Sequence, residues 1–239
     1  MRLYLLFTAS CFLFLADNSL SQPVPDTEAK LIQIPAVAFS DRAEAAGIEG
    51  RIFVLAEIDS DGKVTKADVV AGPLWPCGSN PRKELSEVHE SVRNSVLNAR
   101  FSPAVRNGVA AASRLEISVP VGRAYIEELK RIEALKKEVP VVDRAKQVTA
   151  LGVINGHAIR LPAPAYPESA RSSRVSGTVT VELKIDETGK VAKAGTISGP
   201  RVLQAASRNA ACRARFTPTS VHGKPMVVGG MVTYNFVSP

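Results

Sequence analysis

Histidine and aromatic residues are scarce in this 239-residue chain: it has three of the first, 5% of the second, and a single tryptophan, Trp75. His89, His157 and His222 share no metal-ligand spacing. A zinc site needs three or four convergent ligands, so surface histidines and no metal are expected. No Gly-rich phosphate loop, nucleophile elbow or Cys-x-x-Cys pair occurs, and Trp75-Pro76-Cys77-Gly78 lacks the second cysteine of a redox site. Neither a catalytic residue nor a cofactor is expected, and the chain reads as a non-enzyme. Beyond the N-terminal apolar run, no segment reaches the roughly 20 residues that a helix needs to cross a bilayer. Basic residues are dispersed rather than set among aromatic platforms, which argues against nucleic acid as a partner.

The chain does repeat itself. Residues 35–73 reappear at 162–200, 127 positions on, and residues 91–108 reappear at 206–223, 115 positions on. Pro35, Gly50, Val54, Ile58, Asp59, Gly62, Gly72 and Pro73 recur as identical residues under the first offset, and Arg93, Asn94, Phe101, Pro103 and Gly108 under the second. The fall from 127 to 115 places twelve extra residues in the first copy, after Pro73. A unit of this length is domain-sized, so a tandem pair is expected rather than a solenoid.

One arginine, Arg2, an apolar run over 3–16, and then Ser19 and Ser21 form a signal-peptide pattern over 1–21. The run is short for a membrane-spanning helix, which favours cleavage; an uncleaved inner-membrane anchor is the alternative. Export leaves Cys77 and Cys212 in the mature chain. Outside the cytoplasm two thiols can pair, and this bond would staple the two copies together. The other reading is two separate thiols, because sequence gives no distance between them. A net charge of +7 suits an acidic surface such as lipopolysaccharide or cell-wall polymer, while ordinary solubility is the plainer reading.

Within the second copy, Val179, Val181, Leu183 and Ile185 alternate with polar residues, the mark of a half-buried strand. Turn residues at 186–189 return the chain as a hairpin, and the first copy repeats this at 58–64. Asp59 and Asp61 are turn formers there, since the other positions of a calcium loop are missing. Residues 203–216 read as an amphipathic helix, with Leu203, Ala206 and Ala210 inward, Arg208 turned away and Cys212 off the apolar stripe. A last strand follows Gly223. In the first copy Leu115, Ile117, Val119 and Val121 face inward, and Pro120, which cannot donate to a ladder, marks an edge strand or a ladder-free position on it. A short helix over 167–172 completes an α-β-β-α-β unit. Asn155-Gly156 predicts a further hairpin over 152–159. Residues 124–139 predict a linker helix, with Ile126, Leu129, Ile132 and Leu135 packing on one repeat or on a partner helix in a dimer. Trp75, in the insertion, is either a partner contact or a cover over an exposed edge of its own domain.

The fold class is thus α+β: two units, each a three-stranded antiparallel sheet packed with two helices, joined by a helical linker. The expected boundaries are 1–21 signal peptide, 22–33 short linker, 34–122 first unit with its insertion, 123–147 helical linker, and 148–239 second unit with its preceding hairpin.

The ordered segments LPAPAYPESAR, GTVTVELKIDETGKV, ISGPRVLQAASRNA, ARFTPTSVHGKP and MVTYNFV resemble the TonB C-terminal domain family, and the second copy covers the whole pattern. The first is a diverged member, with Phe39-Ser40 in place of Tyr166-Pro167. The resemblance implies a periplasmic protein-binding module that adds a segment of an outer-membrane receptor, or of another envelope protein, to its sheet edge. By position the docking strand is 225–236, with Met226, Val227, Val228, Met231, Val232, Thr233, Tyr234, Asn235 and Phe236 as partner-binding residues. Gly229 and Gly230 either loosen this strand or mark a bulge. A full energy transducer of the family has a membrane anchor and a long proline-rich spacer. Here only Pro23 and Pro25 stand between Ser21 and Pro35, which favours a periplasmic adapter. The rival reading is a structural envelope adapter that holds cell-wall or lipopolysaccharide anions on its basic surface.

Overall fold

The computed structural model describes residues 25–123, 125–127, 130, 150–221 and 223–238. The signal peptide at 1–21 and most of the linker helix at 124–139 therefore lie outside the described residues. The first repeat runs β1 (Lys30–Gln33), α1 (Asp41–Ala45), β2 (Gly50–Ile58), β3 (Val64–Ala71), β4 (Trp75–Pro76), α2 (Arg82–Leu97), β5 (Arg100–Ser102), β6 (Ala104–Arg106), β7 (Val109–Ala111) and β8 (Ser113–Val121). The second runs β9 (Ala150–Val153), β10 (Ala158–Arg160), α3 (Glu168–Ser172), β11 (Gly177–Ile185), β12 (Val191–Ser198), α4 (Arg201–Cys212), β13 (Arg215–Phe216), β14 (Ser220–Val221), β15 (Lys224–Pro225) and β16 (Val228–Phe236).

Strand periodicity builds both cores. Ile52, Val54, Ala56 and Ile58 point from β2 into one, together with Val88, Val92 and Val96 of α2. Val179, Val181, Leu183 and Ile185 do the same from β11, against Leu203, Ala210 and Ala211 of α4. Burying an aliphatic side chain stabilises by about 1.5–3 kcal/mol, so each repeat carries its own core. The central hairpins share one turn chemistry. Asp59 Oδ1 accepts from the N–H groups of Asp61 and Lys63 at 3.0 and 2.9 Å, and Asp186 Oδ1 accepts from Thr188 and Lys190 at 2.9 and 3.0 Å. Gly62 and Gly189 follow at φ 77° and 79°, where a Cβ would collide with the carbonyl oxygens of Phe101 and Phe216. The loss of Tyr166-Pro167 in the first copy has a local substitute. Ser40 caps α1 by accepting from Ala43 N–H at 3.2 Å, whereas Tyr166 donates to the Val175 carbonyl at 2.6 Å and packs edge-on against Phe236.

The two sheets differ. The first repeat has three strands in the order β3-β2-β8; the second repeat's sheet has five, in the order β4-β12-β11-β16-β9. Its two outer strands lie outside the repeated pattern, for β4 comes from the first repeat's insertion and β9 pairs with β16 in parallel. The hairpin expected from Asn155-Gly156 does not form. Asn155–His157 is a single 3₁₀ turn, and it sends β9 to β16 while β10 pairs with β13. The asparagine side chain is used in a pairing across the sheet, and this tertiary bond overrides the local preference for a turn.

Candidate functional site

A sheet edge is a row of main-chain donors and acceptors, and each of these two sheets disposes of its edges differently. On the β12 side the insertion lies along the strand. Gly72 N–H donates to Thr196 at 2.6 Å, Trp75 and Pro76 stand opposite Ala194 and Lys193, and Cys77 N–H donates to Ala192 at 2.9 Å. Glu49 and Leu74 exchange both main-chain bonds at 3.0 and 2.8 Å. Cys77 and Cys212 are joined by a disulfide, with a Cα separation of 5.5 Å. Trp75 thus covers an edge, but of the sister repeat rather than of its own. Cys212 is half-buried against the core of its repeat.

Arg208 shows why the insertion stays in place. Helical spacing turns it away from the apolar stripe, yet it is 6% exposed because the insertion folds over it. Its Nε donates to Ala194 at 3.0 Å, its Nη2 donates to Trp75 and Pro76 at 2.9 and 3.1 Å, and the guanidinium lies 3.7 Å from the indole centroid. Burial pushes its pKa down to about 10, still far above neutrality. Glu49 completes the seam by accepting from Lys184 at 2.9 Å and lying 3.1 Å from Lys193. Burial pushes the Glu49 carboxyl up, but the two lysines outweigh it and hold the pKa below its usual value.

On the β16 side a strap closes the edge. Gly229 and Met231 stand opposite Ala150 and Val153, and Ile154 N–H donates to the Met231 carbonyl at 2.8 Å. The Asn155 amide then imitates one more strand residue, accepting from Thr233 N–H at 2.9 Å and donating to the Thr233 carbonyl at 2.8 Å. Ile154 is buried over Gly230, where a Cβ would stand 2.6 Å from its Cδ1. Of the residues singled out for docking, Val228, Val232, Tyr234 and Phe236 face the core. Burial pushes the Tyr234 phenol up to about 12. Met226 is half-buried and donates its N–H to Thr219, Val227 is exposed, Met231 and Thr233 lie under the strap, and Asn235 accepts from Thr178 at 2.7 Å. A strand visiting that edge meets groups already paired over 229–233.

In the first repeat, the outer edge of β8 has no strand partner among the described residues. The two repeats share one register, with Leu55 opposite Glu116 as Glu182 is opposite Met231. Since the Met231 and Thr233 main chains face outward, so do those of Arg114, Glu116, Ser118 and Pro120. Pro120 therefore stands where its missing N–H costs the β2 ladder nothing. The segment corresponding to the strap goes elsewhere: Thr27 bridges to Val105, and Asp26 accepts from Asn107 N–H at 2.9 Å. Leu115 takes the place of Gly230 and packs its own side chain, half-buried, against the first repeat's core.

His89, expected at the surface, is half-buried with Nε2 3.2 Å from the Gly72 carbonyl, and burial holds its pKa below the usual value. No group of three or more His, Cys, Asp and Glu residues is placed to hold a metal among the described residues. None of the described helices is long and apolar enough to cross a membrane.

The fold and its edges define a class: a tandem of antiparallel α+β modules whose accessible functional groups at one rim are those of the main chain. Within that class, the family described as Gram-negative bacterial TonB protein C-terminal matches residues 35–121 and 162–237, and the chain belongs to it. No curated protein matches the chain. The family is envelope-associated and transport-associated, a class of non-enzymatic interaction domains.

Proposed function

We propose that this chain is a periplasmic TonB-type interaction module that takes up an extended segment of an outer-membrane receptor, or of another envelope protein, as an added strand on β8. The observation that carries the proposal is the outer edge of β8, unpaired among the described residues, with the N–H and C=O groups of Arg114, Glu116 and Ser118 turned outward. Strand addition needs no side-chain catalysis; main-chain bonds give affinity, and alternate side chains of the visitor give specificity. The strand at 226–236 enters as the covered counterpart, able to receive a segment once the strap at 150–155 has left.

Crosslinking in intact cells from photoreactive residues at Ser118 and Thr233 tests this. Capture of an outer-membrane protein from position 118 supports the reading; capture of wall components alone, from either position, overturns it. Proline supplies a second test. Glu116→Pro removes one outward N–H and keeps the β2 ladder, as Pro120 already does, so it should weaken partner binding by about tenfold without lowering stability appreciably. Unchanged binding by a well-folded Glu116→Pro chain would exclude β8 as the docking edge.

A further inference from the structure

The seam between the repeats contains a cleft of about 490 Å³ walled by the insertion and by the first turns of α2 and α4. Arg82, Arg201 and Arg208 line it, and no aspartate or glutamate does. A buried charge costs free energy unless an opposite charge or hydrogen bonds compensate it. Arg208 is buried without a carboxylate in ion-pair reach among the described residues, and its Nη1 makes no hydrogen bond there. Both helices begin at the cleft, at Arg82 and Arg201; neither Pro81 nor Pro200 gives a side-chain cap, and of the first N–H groups that of Arg82 donates to the Asn80 carbonyl at 2.9 Å. Two helix N-termini and three guanidinium groups thus place positive potential in one enclosure. Arg201 Nη2 donates to the Val69 carbonyl, which leaves its other N–H groups for a ligand, and Asp68 is paired with Lys66 at 2.9 Å.

We infer that this cleft binds a phosphoryl group, either free or carried on a saccharide. Three separate arginines line the cleft beside two helix N-termini, and a tetrahedral dianion offers acceptors in several directions where a planar carboxylate offers two oxygens. Asn80 and Asn209 also line the cleft, with side chains that make no hydrogen bond among the described residues and are placed for hydroxyl groups of a carrier. The site exists only where the insertion meets the second repeat, and it is separate from the β8 edge.

Trp75 lines the cleft and is the chain's single tryptophan, so its fluorescence reports on the site. Titration of the full chain at low ionic strength with inorganic phosphate should give a saturable change. Glucose 6-phosphate should bind more tightly if the amides hold a carrier, and equally if the site takes the free ion. Acetate should bind at least about tenfold more weakly. R82A, which removes a side chain that makes no hydrogen bond among the described residues, and R82A/R201A, which also gives up the Val69 contact, should lose phosphate binding, the double variant by about tenfold or more, while K30A/R160A, which removes the same charge elsewhere, should not. A non-saturable response, acetate binding as strong as phosphate, or an equal loss in both double variants would overturn the assignment.

Discussion

Arg93 and Arg208 occupy the same position in the two repeats, yet the first is exposed on α2 and the second is buried beneath Trp75. Gly230 and Leu115 form a similar pair: one is roofed by a strap, while the other fills its own space at an open edge. In the first pair the residue is the same and only the chain around it differs; in the second the residue differs together with its cover. Twelve extra residues in the first copy travel to the second and close its β12 edge, and the chain preceding the second copy closes its β16 edge. One fold is thereby divided into a repeat covered along β12 and β16 and a repeat whose β8 is uncovered among the described residues. The two repeats differ in which edges are covered, and on the proposed function that difference separates docking surface from scaffold.

The disulfide is the strongest lever on that division. It links residues 135 apart in sequence, and closing so long a loop constrains the unfolded chain by up to about 5 kcal/mol in the entropic account, with about 3–5 kcal/mol the practical expectation. C77S/C212S should lose this amount in urea unfolding, and its Trp75 emission should move to longer wavelength as the insertion frays from β12. Equal midpoints for the oxidised chain and the variant would mean that Arg208 and the main-chain bonds hold the edge without the staple.

Much of this was legible in the amino-acid sequence. The offsets of 127 and 115 locate the repeats and the insertion, and the alternation in β2, β8, β11 and β16 orients each strand, because one buried face fixes strand register. Pro120 identified an edge strand before any neighbour was known. The destinations of the two covering segments were not legible. Periodicity states which helix face is apolar, but it cannot state what lies on the other face, so Arg208 reads as solvated. Asn-Gly favours a tight turn locally, yet nothing local says that Asn155 has a main-chain partner 78 residues away at Thr233. The free edge that the sequence leads one to expect at 226–236 is therefore the edge that the strap occupies.

The strap allows that difference between the repeats to be reversed. Asn155→Ala removes both bonds to Thr233, and the Thr233 amide should lose about 1–2 kcal/mol of hydrogen-exchange protection while Val181 and Leu183 keep theirs. Gly230→Leu goes further, since a Cβ there already meets Ile154, so the strap should be expelled and β16 should come to resemble β8. Crosslinking from Thr233 should then capture whatever Ser118 captures in the unaltered chain. Capture that remains confined to position 118 would show that the open edge is selective for reasons beyond being uncovered.

The smallest effect concerns the charges at the seam. Glu49 belongs to the first repeat and its two lysines to the second; the corresponding position in the second repeat is Ser176. Its folded-state pKa lies below the usual 4.5, so its contribution is present above the unfolded value and is lost as pH falls through the folded one. Glu182, nearby, has the opposite sign. Burial raises its pKa, so its contribution is present below 4.5 and is lost as pH rises through the folded value. Glu49→Gln should cost about 1 kcal/mol at neutral pH and flatten the fall in stability below pH 4.5, whereas Glu182→Gln should stabilise the neutral protein and make that fall steeper. Unfolding midpoints measured from pH 3 to 7 separate the two. Parallel profiles would show that the Glu49 ion pairs contribute nothing to the seam, leaving it to the disulfide, Arg208 and the insertion's main chain.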